Sequence, residues 1–256
     1  MNGAFYVGAI GLEAQQRALD TIANNISNMN TPAFKRSEVR FSELIASRSD
    51  PNVATAALGT ASIASAGVTA RPIAMLNLGG PIEQTGNALD LAIEGAGFIE
   101  VMGPGGQVLL WRGGTLTVGE DGLLATERGF ALKAAISVPM DSASISIAAD
   151  GTILANASSG DQSEIGQLTL VKVDDPAVLE RVDGGLYRAG DAAQLLEARP
   201  GEDGMGTIVQ GALERSNVEL TVEMVQMMLV QRAYAANAQV LQAADQMMAI
   251  ANGLRR

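Results

Sequence analysis

The sequence predicts an α+β fold: long N- and C-terminal helices pair as a coiled-coil stalk, with a central antiparallel β domain between them in the chain. Three observations carry this. Each end has a heptad-like apolar pattern, and the middle is a series of short strand-compatible runs broken by Gly- and Asp-containing turns. No alternation of helix and strand occurs that would build a parallel sheet.

At the C-terminal end, Leu229, Ala233, Ala236, Val240, Ala243, Met247, Ile250 and Leu254 recur at alternating intervals of four and three. That average of 3.5 marks a helix burying one seam along a near-parallel partner. From Val218 to Asn252 only Glu219, Glu223, Arg232 and Asp245 carry charge, and a second stripe of Met224, Met227, Met228, Tyr234, Leu241 and Met248 covers another face. A helix apolar over so much of its circumference must be enclosed. Ser216 and Glu219 have the spacing of a capping box, Thr221 is a later cap, and Gly253 supplies a stop. About 35 residues at 1.5 Å each span roughly 50 Å, longer than a small domain can cover.

The N-terminal end has the same alternation in Phe5, Gly8, Leu12, Gln15, Leu19, Ile22, Ile26 and Met29, and Pro32 ends it. Periodicity alone also fits two ordinary core helices. The scarcity of charge favours an assembly, because one antiparallel pair leaves the other apolar faces wet.

These patterns divide the chain into a helical coiled-coil domain, 1–32 with 216–256, a connector and long loop, 33–70, and a β-rich middle domain, 71–215. Phe34 to Leu44 carries Lys35, Arg36, Glu38, Arg40 and Glu43 and is expected to leave the stalk as an extended connector. Ala46 to Thr69, rich in Ala, Ser and Thr, is expected as a weakly structured loop. The strand-compatible runs are Leu89–Glu94, Phe98–Met102, Val108–Arg112, Leu116–Val118, Ser144–Ala148, Thr152–Ala155 and Leu168–Val173. Gly103-Pro104-Gly105-Gly106, Asp121-Gly122 and Asp150-Gly151 are turn chemistry. The first is no phosphate cradle, since no helix and no Lys-Ser/Thr pair follow it.

Composition narrows the function. A net charge of −11 with no Lys/Arg stripe argues against nucleic acid; Lys35-Arg36 and Arg255-Arg256 are isolated pairs expected at solvated ends. The chain has no cysteine and no histidine, which removes disulfides, thiolate metal sites, cysteine nucleophiles and Ser-His-Asp chemistry. Asp174-Asp175 before Pro176 starts a turn, Asp141, Asp161 and Glu164 lie in solvated loops, and the Met-rich helical faces are packing surfaces. No catalytic constellation, metal site or cofactor is therefore expected. No run of 18 uncharged apolar residues predicts membrane insertion. With no basic residue before Arg17 and Glu13 in the apolar stretch, the N-terminus makes a poor cleavable signal peptide.

Three segments carry a resemblance. Gly11-Leu12 through Asp20, Ile22-Ala23-Asn24-Asn25-Ile26-Ser27-Asn28 and Asn30-Thr31-Pro32-Ala33-Phe34-Lys35 resemble the N-terminal signature of bacterial flagellar rod and hook proteins. Ser216-Asn217-Val218, Glu223-Met224-Val225 and Gln231-Arg232-Ala233-Tyr234 resemble that family's C-terminal signature. Leu89-Asp90-Leu91-Ala92-Ile93 with Gly95, Gly97 and Phe98 resembles the opening of its middle domain. Within the family the chain is most similar to distal rod subunits, with proximal rod subunits second. It departs at Ala33, where the family commonly has glycine, at Trp111-Arg112-Gly113-Gly114 and at Ala235.

The resemblance implies a structural subunit of the rod, polymerising with copies of itself into a rigid helical tube that transmits torque and forms part of the export channel. Its implied partners are its own copies, other rod and hook subunits and the surrounding ring bushing, in the periplasmic basal body, after export without a cleaved signal peptide. The loop at 46–69 would help to lock neighbours together. Subunit contacts are expected at Leu12, Leu19, Ile22, Asn25, Ile26 and Asn28 on the first helix. On the second they are expected at Leu229, Ala233, Tyr234, Ala236, Val240, Ala243, Met247 and Ile250. Two other classes compete: a periplasmic binding module dimerised by a helical stalk, and an enzyme working through carboxylates alone.

Overall fold

A computed structural model describes residues 2–46, 64–157, 161–175, 178–182, 185–190 and 193–253. The chain forms two compact units. One comprises 1–27, 37–73 and 219–256; the other comprises 28–36 and 74–218.

The first unit holds α1 (Asn2–Ser27), a two-stranded sheet of β1 (Ser37–Ala46) and β2 (Ala64–Ala74), and α2 (Leu220–Gly253). The chain expected as a connector from Phe34 is therefore a strand from Ser37 onward. Strand β2 begins inside the stretch expected as a loop, whose residues 47–63 lie outside the described residues. The capping box at Ser216 does not form: its hydroxyl accepts the N–H of Val218 at 3.3 Å, a turn ahead of the helix. Helical bonding starts with Glu223 N–H donating to the Glu219 carbonyl at 3.1 Å.

α1 and α2 pack in opposite chain directions: Gly8 faces Leu241, Gly11 faces Asn237, and Asn25 bonds Glu223. The approach at Gly8 is close, since a Cβ there would sit 2.9 Å from Leu241 Cδ2. The buried residues of α1 are Ala14, Ala18, Ile22 and Asn25. Facing side chains of α2 such as Met227, Val230, Asn237, Leu241 and Ala244 are half-buried.

The second unit is built from β3 (Ile82–Gln84), β4 (Asp90–Glu94), β5 (Ile99–Met102), β6 (Val108–Trp111), β7 (Gly113–Val118) and β8 (Leu124–Thr126). It continues with β9 (Ser142–Ile147), β10 (Thr152–Ala157), β11 (Gln162–Gln167), β12 (Leu170–Val173) and β13 (Leu179–Val182). The last strands are β14 (Leu186–Ala189), β15 (Leu195–Ala198), β16 (Thr207–Gln210) and β17 (Ala212–Glu214). Two four-stranded sheets, β16-β4-β7-β8 and β13-β14-β6-β5, are accompanied by β11-β10-β9, β12-β15 and β17-β3. The described pairings within this unit are antiparallel; in one, Ile93 of β4 faces Ile208 of β16. The main core gathers Leu91, Ile93, Val101, Trp111, Leu124, Ile153 and Leu170 among others. A second cluster holds Leu76, Phe98, Leu110, Val171, Val173 and Tyr187.

Residues 28–36 form a neck that belongs to this unit. The Ala33 N–H donates to the Glu214 carbonyl at 2.6 Å, and the Met75 N–H to the Arg36 carbonyl at 2.8 Å. Buried Ala33 sits at φ 55, the left-handed region where glycine is at ease and an L side chain is strained. This explains physically why glycine suits that position. Lys35, expected at a solvated end, is instead wholly buried and ion-paired to Glu214. Burial pushes its ammonium below the ordinary lysine value, and the Glu214 carboxylate offsets part of that.

Candidate assembly surface

The seam expected on the C-terminal helix lies on its open face. Leu229 is 59% exposed, Val240 68%, Met247 65% and Ile250 65%, and Ala233, Tyr234, Ala236 and Ala243 are exposed with them. Leu254 lies outside the described residues. The face that α2 turns to α1 is instead the half-buried stripe described above, so the interval of 3.5 is right for the helix but selects two seams. A small residue permits this pairing: a Cβ at Gly8 would stand 2.9 Å from Leu241 Cδ2.

On α1 the same division appears. Leu12, Leu19 and Ile26 are half-buried and remain partly open; Asn28, expected on this helix, is half-buried just past its end, in the neck. Two of the residues expected at the interface lie inside their own unit in the single chain. Ile22 is buried within its own unit, and Asn25 is 1% exposed. The Asn25 amide donates to the Ser37 carbonyl at 2.9 Å and accepts the Ser37 N–H at 2.9 Å, as a strand residue would. It also donates to Glu223 Oε2 at 3.2 Å. Asn25 thus fastens the ends of α1 and α2 to the start of β1, leaving no free donor for a neighbouring molecule.

The apolar face is continued by Met224, Val225 and Met228, each about half exposed, at the start of α2. Few charges interrupt it, so water is poorly accommodated along its length. Chemically the surface offers packing, with no reactive group. Among the described residues no group of three or more Asp, Glu, His or Cys side chains is placed to hold a metal ion. No helix there is long and apolar enough to cross a membrane.

Known proteins match the chain along its whole length. Residues 5–35 match the family model described as flagella basal body rod protein. Residues 92–155 match that of the flagellar hook protein FlgE/F/G D1 domain, and 209–254 that of the flagellar basal body rod FlgEFG protein C-terminal. The chain is 32% identical over 264 residues to the flagellar basal-body rod protein FlgG of Borreliella burgdorferi, with 100% of both chains covered. It is also 32% identical to FlgG of Caulobacter vibrioides over 265 residues, covering 98% of this chain and 99% of the relative. It is 29% identical to FlgF of the same organism over 245 residues, covering 94% of this chain and 93% of the relative. The chain belongs to the FlgE/F/G family of flagellar basal-body rod and hook proteins. It is a structural rod subunit rather than an enzyme, and of these relatives it resembles FlgG more than FlgF. FlgG is the distal rod type that the sequence resemblance pointed to.

Proposed function

We propose that this chain polymerises with copies of itself into the rigid helical tube of the distal rod, transmitting torque from motor to hook and lining part of the export channel. Identical subunits would meet through heterologous contacts whose rotation does not close, which generates a filament rather than a ring. α1 and α2 would form a coiled-coil stalk in the inner layer, and the β-rich middle of the chain the outer layer. Other rod and hook subunits would cap the ends, and a ring bushing would surround the outer layer in the periplasm after export without a cleaved signal peptide.

The observation that carries this reading is the exposed apolar seam Leu229–Ile250, set at heptad intervals along a helix that already has one partner. A monomer has no use for it, whereas a lattice of like helices would cover it. Ordering of the terminal helices would then be offset mainly by lattice contacts, so full helicity should come with assembly. Circular dichroism of the purified chain before and after polymerisation tests this. Helical signal that grows with polymer supports it. A dilute monomer with complete helicity that never forms tubes overturns it.

A further inference from the structure

We propose that the neck, residues 28–36, is latched to the β-rich unit by a closed ring of contacts, so that it is ordered in the free chain before any assembly. The latch is internal to one unit and goes beyond the assembly reading; it does not depend on polymerisation.

The ring starts at Lys35, whose Nζ donates to Glu214 Oε1. Glu214 Oε2 accepts Arg112 Nε at 2.9 Å. The Arg112 guanidinium lies over the Phe98 ring, 5.8 Å from its centroid, and Phe98 meets Tyr187 edge-on at 5.5 Å and 64°. Arg181 sits 5.9 Å from the Tyr187 ring and 4.2 Å from that of Phe34, and it donates to the Lys35 carbonyl, which closes the circuit. The two neck residues are thereby held from both sides, by an ion pair on one and a stacked guanidinium on the other.

Glu214 is the member everything converges on. Besides the two cations it accepts the Gly80 N–H at 2.8 Å. Two buried cations share one buried carboxylate, so removing its charge strands both away from water. Arg112 retains carbonyl acceptors at Gly97 and Ile93, while Lys35 retains only the Leu78 carbonyl among its bonds described here. Release should therefore begin at the neck.

The main apolar core contains none of the ring's members, and only Phe98 and Tyr187 enter the smaller cluster. The sheets can thus stand while the latch opens. The latch also brings the two exits of the unit side by side: Asn217 N–H donates to the Phe34 carbonyl at 3.3 Å, and its Oδ1 accepts the Arg36 N–H at 2.7 Å. A preset distance between those exits removes conformations that the flanking segments would otherwise have to lose.

Amide hydrogen exchange on the full-length monomer tests the latch, comparing wild type with Glu214→Gln and Arg181→Met. In wild type the Ala33 and Asn217 amides should be as protected as those of β4. Each variant should speed them at least tenfold while β4 and β10 amides change less than about threefold. Arg181→Met leaves no buried charge unpaired, so it decides the matter even where Glu214→Gln unfolds the whole chain. Neck amides that are unprotected in the wild-type monomer, or that keep their protection in Arg181→Met, overturn the proposal.

Discussion

Replacing Val240 by Asp separates a surface built for assembly from one that merely faces solvent. Val240 is 68% exposed in the single chain, so most of its side chain has yet to be buried. Full burial of a Val or Leu side chain is worth about 1.5–3 kcal/mol, which leaves about 1–2 kcal/mol for an intersubunit contact to gain. A carboxylate in the same contact adds a desolvation cost of several kcal/mol unless it is paired. No Lys or Arg lies within four residues of Val240 on either side, so its own helix supplies no partner. The combined penalty, about 4–6 kcal/mol, weakens each contact by about 10³–10⁴-fold. The isolated chain should lose no more than about 0.5 kcal/mol, as for other exposed positions. Urea denaturation of the monomer gives the second quantity; sedimentation, electron microscopy of polymer and swimming of cells carrying the variant give the first. Tubes at wild-type concentration and normal swimming would refute the reasoning. A monomer that unfolds would refute it differently, by showing that Val240 is packed within its own chain. Leu229→Asp should act in the same direction but less cleanly, because Arg232 lies three residues on.

Gly80→Ala should destabilise the β-rich unit by at least about 3 kcal/mol in urea denaturation, because a Cβ there would stand 1.9 Å from the Arg215 carbonyl oxygen, and backbone cannot give way. Asn25→Ala should cost about 1–3 kcal/mol and expose the Ser37 amide to exchange, since it orphans a part-buried N–H and carbonyl together. A cost under about 0.5 kcal/mol would mean that water replaces the amide. Alkaline pH should act on Tyr187, whose phenol is pushed above its ordinary value of 10.0 chiefly by burial, with Arg181 pulling the other way. The native state keeps that proton longer than the unfolded one, so the stabilisation is full below pH 10.0 and is lost as pH rises through the raised value. Urea midpoints should fall more steeply above pH 10 in wild type than in Tyr187→Phe; parallel curves would contradict this. Lys35 has the opposite sign: its lowered value means that the unfolded chain binds more protons, so its contribution improves as pH climbs toward 10.5. Lys35→Met should remove that improvement from the same titration.

Both terminal helices were legible because their patterns are long and nearly free of competing charge, and both ends of α2 fell within a few residues of expectation. Seven strands of the middle were legible as apolar runs; β4, for example, differs from its expected bounds by one residue. The strands that were missed have physical reasons. β3, β8 and β17 are three residues each, too short to show alternation. β15 lies at mostly exposed positions, where little distinguishes a strand from a polar loop, and β13 is a half-buried run of four that includes the charged Glu180 and Arg181. Along α2 the sequence shows apolar stripes but not the face that its own α1 takes, since that face includes the polar Asn237 and the close approach falls at a glycine, Gly8. The latch was invisible for a different reason. Lys35, Arg112 and Glu214 are far apart in the chain, and charged residues are ordinarily solvated.

The partners that complete each unit are separated by most of the polypeptide. Lys35 and Glu214 are 179 positions apart, and Asn25 and Glu223 are 198 apart. Strand β4 likewise waits for β16. The first half of the chain holds unpaired groups until its last residues are in place, because long-range pairing is slow and unrewarded before then. Such wiring means that neither half of the polypeptide can complete a unit alone, and that both set only when the two ends are present together.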